Sequence, residues 1–227
     1  MESTKTRILK KLLETDGYLS GQELCEQLGV SRTAVWKYMK QLKEEGYEIE
    51  AVQNKGYCLK DVPDVLGESE IKSRLHTRWV GQTLYYYDEI DSTNTQIKRL
   101  AEEDAPHGTL AVADYQSRGK GRRGRAWDSP HGSAIYMSIL FRPEIRPDRA
   151  SMLTLVIGSN LGLQAQIKWP NDVVLNGKKL VGILTEMSAQ MNYIEYLVTG
   201  IGINANLREF PEELEDKATS LQKEIGH

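Results

Sequence analysis

Cysteine is nearly absent from the 227-residue chain: Cys25 and Cys58 are all it has, and neither lies in metal-ligand spacing. That excludes a disulfide scaffold or a zinc ribbon, and two reduced thiols read as those of a cytoplasmic protein. No apolar run approaches the about 20 residues that a membrane-spanning helix needs. The opening MESTKTRILKK lacks the apolar core of a secretory signal, so neither export nor a membrane partner is expected. An excess of positive charge is missing too. With 29 Lys and Arg against 32 Asp and Glu, the net charge is −3. A nucleic-acid partner therefore cannot be read from bulk charge and has to be argued from local clusters.

The first sixty residues hold one such cluster. Ile8, Leu9, Leu12 and Leu13 recur at helical spacing over 4–14, and Asp16-Gly17 ends the run. Ser20 with Glu23 forms a capping-box start for a short helix that turns Leu24 and Leu28 inward. Gly29 breaks that helix, and Ser31 caps the next, which carries Val35, Met39 and Leu42 on one face. Its other face offers Arg32, Thr33, Trp36, Lys37, Lys40 and Lys43, with no acid from Ser31 to Lys43. Helix, short helix, glycine turn and basic second helix mark a helix-turn-helix, whose recognition helix enters the major groove. Ser31, Arg32, Thr33, Trp36, Lys37 and Lys40 are its candidate DNA contacts. YEIEAVQNKGYCLK then reads as two strands around Asn54–Gly56, a wing. These sixty residues are nearly charge-balanced, so specific contact calls for a dimer on two half-sites.

DVPDVLGESE reads as a linker, which divides the chain into a winged helix-turn-helix at 1–62, a linker at 63–68 and a second domain at 69–227. The second domain alternates apolar runs: TLYYYD, TLAVADY, AIYMSILFR, QIKW, VVLNGKKLVGILTEM and YIEYLVTGIGI. Asn176-Gly177 is a strong hairpin signal inside the fifth. Helices are expected at 92–103, at 211–221 and over Ser151 to Val156. Hairpins outnumber strand-helix-strand units, so the expectation is α+β on a mixed, largely antiparallel sheet.

Five cations fall within Arg118–Arg125, interrupted by three glycines. Gly119, Gly121 and Gly124 spell the dinucleotide fingerprint, but turn residues and then a strand follow where that site needs a helix. What remains is a cationic loop between two strands, suited to closing over an anionic intermediate. Ser92, Thr93 and Asn94 follow a strand and, taken alone, read as a helix cap. Asp172 in KWPND is either a turn residue or a ligand for Mg²⁺ beside a phosphate. Lys179 alone reads as a solvated lysine.

Together, DSTN, GKGRRGRAW, KWPNDV, GKKLVGIL and GIGINAN resemble the biotin protein ligases. With the helix-turn-helix in front, the chain resembles the bifunctional members that also repress biotin genes. The resemblance implies a catalytic domain like that of class II aminoacyl-tRNA synthetases. It implies that biotin and ATP form biotinyl-5′-AMP, and that biotin then passes to a lysine of the biotin carboxyl carrier domain of acetyl-CoA carboxylase or a related carboxylase. It further implies operator DNA as a partner, a homodimer through the central domains, and biotinyl-5′-AMP as co-repressor. A repressor that senses the ligand without ligating is the alternative.

Carried over by residue, the family's pattern puts Ser92, Thr93, Asn94 and Gln116 at the biotin ureido group. Lys120, Gly121 and Arg122 lie in the loop over biotin and adenylate, with Lys179 near the carboxylate and phosphate. Lys179 and Arg122 would be catalytic. Gly119, Arg125, Trp127, Lys168, Asn171, Asp172 and Asn204 fall on the nucleotide side, with Asp172 holding Mg²⁺. Three departures stand out: Lys120 where the family more often has arginine, a short stretch at 153–167, and no SH3-like β-domain following, as in bifunctional members.

Overall fold

The computed structural model describes residues 3–144, 165–190 and 193–226, and the chain divides into two compact units between His76 and Thr77. The first unit opens with α1 (Thr4–Glu14), α2 (Gly21–Leu28) and α3 (Arg32–Glu44). Ser20 and Ser31 cap as expected, accepting from the backbone N–H of Glu23 and Ala34, and Ser3 caps α1 by accepting from Thr6 N–H. The reciprocal half of the α2 capping box is replaced, because the Glu23 carboxylate accepts from Gln27 Nε2. Gly29 leaves α2 in the left-handed region at φ 67°, returning its N–H to Cys25 O. Ile8, Leu9, Leu24, Val35, Met39 and Leu42 meet in one core. At about 1.5–3 kcal/mol for each side chain fully removed from water, that burial holds three short helices that would not persist alone.

The wing follows as β1 (Glu48–Val52) paired antiparallel with β2 (Gly56–Asp61). Tyr57 exchanges both backbone hydrogen bonds with Leu19, which fastens the wing to the segment before α2. Helix α4 (Glu68–Arg74) packs along α1, and Tyr47 Oη donates to Glu70 Oε2 at 2.6 Å. The stretch expected to be linker and the start of the second domain is thus gathered into the first unit. An aromatic hydroxyl and a helix face claim it, and composition could not show either.

The second unit is a seven-stranded sheet in the order β3-β4-β5-β9-β8-β7-β6. Its strands are β3 (Leu84–Ile90), β4 (Leu110–Gln116), β5 (Ala134–Phe141), β6 (Gln166–Lys168), β7 (Asp172–Leu175), β8 (Lys178–Ala189) and β9 (Ile194–Asn204). Only β3 and β4 pair in parallel, joined through α5 (Thr93–Glu102); the other neighbours are antiparallel. The sheet is mixed and largely antiparallel, as expected. Asn176 and Gly177 turn the β7–β8 hairpin with φ of 51° and 81°. Helix α5 lays Ile97, Leu100 and Ala101 on Ala111, Leu140 and Val198, covering one face of the sheet beside the site.

The helix expected at 211–221 does not form. Successive turns run to Lys217, Ala218 bridges to Lys179, and the helical piece is α6 (Leu221–Ile225). Lys179 N–H donates to Lys217 O and Thr219 N–H to Lys179 O, so strand-like pairing takes the backbone groups a helix would have used. The helix expected over Ser151 to Val156, and the short stretch at 153–167 up to 164, lie outside the described residues.

Gly56 tests the wing. Its φ is +112°, and an added Cβ would lie 2.2 Å from Leu19 O. Gly56→Ala should therefore destabilise the first unit by at least about 1–3 kcal/mol, seen as a lower urea midpoint by circular dichroism. An unchanged midpoint would mean that the wing is not fastened there.

Candidate active site

The site is built on missing side chains. Across the sheet, Ala113 pairs with Tyr136, Tyr136 with Gly202, Gly202 with Gly182 and Gly182 with Asp172. One row over, Ser138 pairs with Gly200. A Cβ on Gly182 or Gly202 would fall 2.4 or 2.8 Å from the indole of Trp127, and one on Gly200 would fall 2.0 Å from Asn94 Oδ1. The three glycines make a floor on which the indole and the amide rest directly against strand backbone. Above this floor a cavity of ≈ 460 Å³, counting the space at its open mouth, lies at the N-terminus of α5.

One end of the cavity is polar and neutral. Ser92 occupies the N-cap position of α5, yet its hydroxyl makes no capping bond; Asp91 Oδ1 instead accepts the Ser92 N–H at 2.8 Å. A cap was the simplest reading of DSTN; here the serine makes no cap bond and lines the cavity. Gln116 Oε1 accepts from Thr93 N–H at 2.9 Å and lies 3.1 Å from Thr93 Oγ1, while its Nε2 donates to Ser129 Oγ at 2.9 Å. Asn94 Nδ2 donates to Glu186 Oε2 at 2.8 Å. Burial raises the Glu186 pKa, but hydrogen bonds from Lys98 and Asn94 outweigh it and hold the carboxyl below its ordinary value. Beside this end Tyr136 is buried, its pKa pushed up to about 12, so it stays neutral.

The other end is cationic. The glycine-arginine loop folds on itself: Gly121 N–H donates to Arg125 O at 2.7 Å and Trp127 N–H to Gly119 O at 2.9 Å. Arg123 and Gly124 turn its tip with positive φ. Arg122 Nη1 reaches across to Asn171 Oδ1 at 3.2 Å, joining the loop to the KWPND turn. Farther along the same connection, Asp114 accepts from Gly132 N–H and lies 2.7 Å from His131 Nδ1, pinning the return into β5. Lys179 Nζ sits 4.9 Å from the Trp127 ring centre and 2.7 Å from Asp172 Oδ1. That oxygen is buried without a well-aligned hydrogen bond, so its contact with Lys179 is an ion pair set by distance. The Trp127 indole N–H is buried and has no hydrogen-bond partner among the described residues.

Ser92, Thr93, Asn94, Gln116, Lys120, Gly121, Arg122, Trp127, Asn171 and Lys179 all line this one cavity. Other expected site residues stand apart from it. Gly119 supports the loop, where an added Cβ would meet Trp127 O at 2.2 Å. Arg125 lines the loop's other side, with Arg118 and Arg123. Lys168 is exposed on β6. Asp172 lies behind Lys179. Asn204 is buried and donates to Thr219 O at 3.0 Å, holding the segment that pairs with Lys179. The sequence reading missed Gly182, Gly200, Gly202, Ser138 and Glu186; the closely spaced glycines of TGIGI were the available signal for the floor.

In the first unit, Trp36 is 60% exposed on α3, with Lys40 Nζ 6.0 Å from its ring. Arg32 Nη2 donates to Gln22 Oε1 at 2.9 Å, and both border a groove with Asn54 and Lys55 of the wing turn. Ser31 uses its hydroxyl as a cap, Thr33 and Lys37 are exposed, and Lys40 has an exposed ion pair with Glu44 at 3.7 Å.

Residues 4–58 match the helix-turn-helix family described as "HTH domain", and residues 86–204 match the "Biotin/lipoate A/B protein ligase family". The bifunctional ligase/repressor BirA of Bacillus subtilis is 45% identical over 100% of this chain and 73% of its own length. That alignment is longer than the chain, so the relative carries residues this chain lacks. The Escherichia coli bifunctional ligase/repressor BirA is 35% identical over 95% of this chain and 68% of its own. Among solved structures, the Aquifex aeolicus biotin protein ligase in complex with biotin and ATP aligns with a TM-score of 0.51 and 35% identity. That match covers 64% of this chain and 62% of the other. With a helix-turn-helix match at 4–58 preceding the ligase match at 86–204, the chain belongs to the biotin/lipoate protein ligases, in the arrangement of the bifunctional ligase/repressors.

Proposed function

We propose that this chain is an ATP-dependent biotin protein ligase that also represses transcription, with biotinyl-5′-AMP as both intermediate and co-repressor. The observation that carries the reading is the polarity of the cavity. Neutral hydrogen-bonding groups, Ser92, Thr93 and Gln116, suit a cyclic urea at one end. Lys179, Arg122 and Lys120 suit a carboxylate and a phosphate at the other.

The first step is a carboxylate oxygen attacking the α-phosphorus of ATP; the bond to pyrophosphate breaks and a mixed anhydride forms. Two anions must meet, so fixed positive charge is the main requirement. Lys179 can turn from Asp172 toward the reacting oxygens, and Asp172 keeps it oriented until then. Mg²⁺ takes oxygen ligands and is usually held by one or two carboxylates together with substrate phosphates. Asp172 is a half-buried carboxylate with one oxygen on Lys179, which leaves its other oxygen to fit a metal that arrives with ATP, where Mg²⁺ would draw charge from the phosphates. The second step is attack by a lysine amine of the carrier domain on the acyl carbon, with AMP leaving. The loop shields the anhydride from water until that lysine arrives.

Repression rests on α3 and the wing, and a near-neutral reader calls for two copies on operator DNA. We place the homodimer on the second unit. No helix among the described residues is long and apolar enough to cross a membrane, which accords with a cytoplasmic ligase.

Three measurements test this. Lys179→Ala should lower biotin-dependent ATP–pyrophosphate exchange by about 10²–10³, the scale for removing one charged group that stabilises the transition state. Lipoate in place of biotin should support no exchange, and normal exchange in the variant would reassign the role. Arg122→Gly should release biotinyl-5′-AMP about ten- to hundredfold faster, seen as biotin appearing on unrelated lysines; tight retention would show that the loop is no clamp. Replacing Lys37 and Lys40 together by alanine should lower the log–log salt slope of operator binding by about 0.9 for each phosphate that α3 no longer neutralises, with ligation intact. An unchanged slope would remove α3 from the interface.

A further inference from the structure

At the neutral end of the cavity, Thr93 and Asn94 are tied into a hydrogen-bond chain that runs back into the protein. Ser138 Oγ, fully buried on β5, lies 2.6 Å from Asn94 Oδ1 and 2.7 Å from Thr93 Oγ1. Asn94 Nδ2 faces the Glu186 carboxylate, whose other oxygen takes Lys98 Nζ at 2.6 Å. Protons can be counted along this chain. A carboxylate only accepts, so Glu186 fixes which end of the Asn94 amide faces it; the reverse orientation would set a carbonyl oxygen against a carboxylate. Asn94 Oδ1 then needs a donor, and Ser138 has one proton to give. With that proton committed, Thr93 Oγ1 cannot receive it. Thr93 must send its own proton into the protein, to Ser138 Oγ or to Gln116 Oε1, the latter already fixed as an acceptor by Thr93 N–H. Thr93 lines the cavity, and its remaining lone pairs are then what its hydroxyl can offer a ligand.

We infer that Glu186 and Ser138 are positioning residues that set the polarity of the Thr93 hydroxyl, so that this point of the cavity accepts from a ligand N–H and disfavours an oxygen in the same place. The inference rests on the biotin ligase reading for the ligand, and it adds the source of the discrimination between a cyclic urea and a ring with oxygen at that position. A site built to bond an N–H discriminates strongly against an analogue lacking it, because its own acceptor is left unpaired.

The test uses the full chain, biotin, and two biotin analogues in which one or the other ureido N–H is replaced by a ring oxygen. Wild type should prefer biotin over at least one analogue by a large factor. Glu186→Gln presents an amide NH₂ to Asn94 or to Lys98 and removes the fixed polarity; Ser138→Ala removes the relay proton. In both, the biotin KM in pyrophosphate exchange should rise about ten- to hundredfold with kcat little changed, and the preference for biotin should shrink. Lys98→Ala keeps the carboxylate on Asn94 and should retain the preference, which separates polarity from loss of the ion pair. Thermal unfolding of each variant identifies any that fail to fold, and titration calorimetry with Lys98→Ala and Glu186→Gln then carries the comparison. If folded Glu186→Gln and Ser138→Ala keep the wild-type preference, the relay is overturned while the ligase reading stands. If wild type itself ignores biotin, the ligase reading fails and this inference with it.

Discussion

The active cavity depends on strand backbone being bare at three places. Gly182, Gly200 and Gly202 occupy adjoining positions on β8 and β9, and any side chain there would overlap Trp127 or Asn94. Glycine inside a strand ordinarily weakens it, since it brings no packing and carries the largest backbone entropy. Here the loss is offset by the pairing around it. Strand β9 lies between β5 and β8 and is bonded on both sides over nearly its whole length. A central strand tolerates such gaps where an edge strand would slip its register. Central placement of the glycines and placement of the site on them are therefore one requirement.

From that floor the division of labour follows. Asn94 rests on Gly200 and belongs to the neutral end; Trp127 rests on Gly182 and Gly202 and stands beside Lys179. The indole thus gives Lys179 an apolar flank and a π-face, while Asp172 gives it a counter-charge. A lysine held by a stacking face and one carboxylate can exchange the carboxylate for a phosphate without leaving its place. An arginine locked in a two-toothed carboxylate pair would have more to break.

Local features were legible in the sequence, and cross-chain ones were not. Caps at Ser20 and Ser31, the break at Gly29, the wing turn at Asn54–Gly56 and the Asn176-Gly177 hairpin each depend on residues within a few positions of one another. They formed as read, except that Glu23 turns to Gln27 and leaves the Ser20 box half made. The loop, the KWPND turn and Lys179 were legible as a cationic site through the resemblance. The relay was not, because its partners are distant: Ser138 is 44 residues from Asn94, and Glu186 is 92. Glu186 looked like any strand glutamate until Lys98 and Asn94 were brought to it. The 211–221 segment misled for a related reason. Pro211 followed by acidic residues is a fair helix start, but Lys179, far away in sequence, claimed the backbone of Lys217 to Thr219 for a bridge.

On the proposed reading, the adenylate drives repression by tightening a homodimer, and the glycine-arginine loop is where its phosphate would meet the protein. Ordering a loop on binding the adenylate removes an entropy cost that dimerisation would otherwise carry, and such coupling is reciprocal. The amount available depends on how disordered the loop is beforehand. Between Gly119 and Trp127 the loop already closes its own backbone hydrogen bonds, and Arg122 is already engaged by Asn171. The change that a phosphate can make here is an exchange at the Arg122 side chain, from a neutral amide to an anion, worth about 1.5–3 kcal/mol for a charged hydrogen bond. That is within the about 1–3 kcal/mol usual for allosteric coupling. On the proposed reading, exchange of Asn171 for a phosphate at Arg122 is one contact through which the adenylate can favour the repressing form.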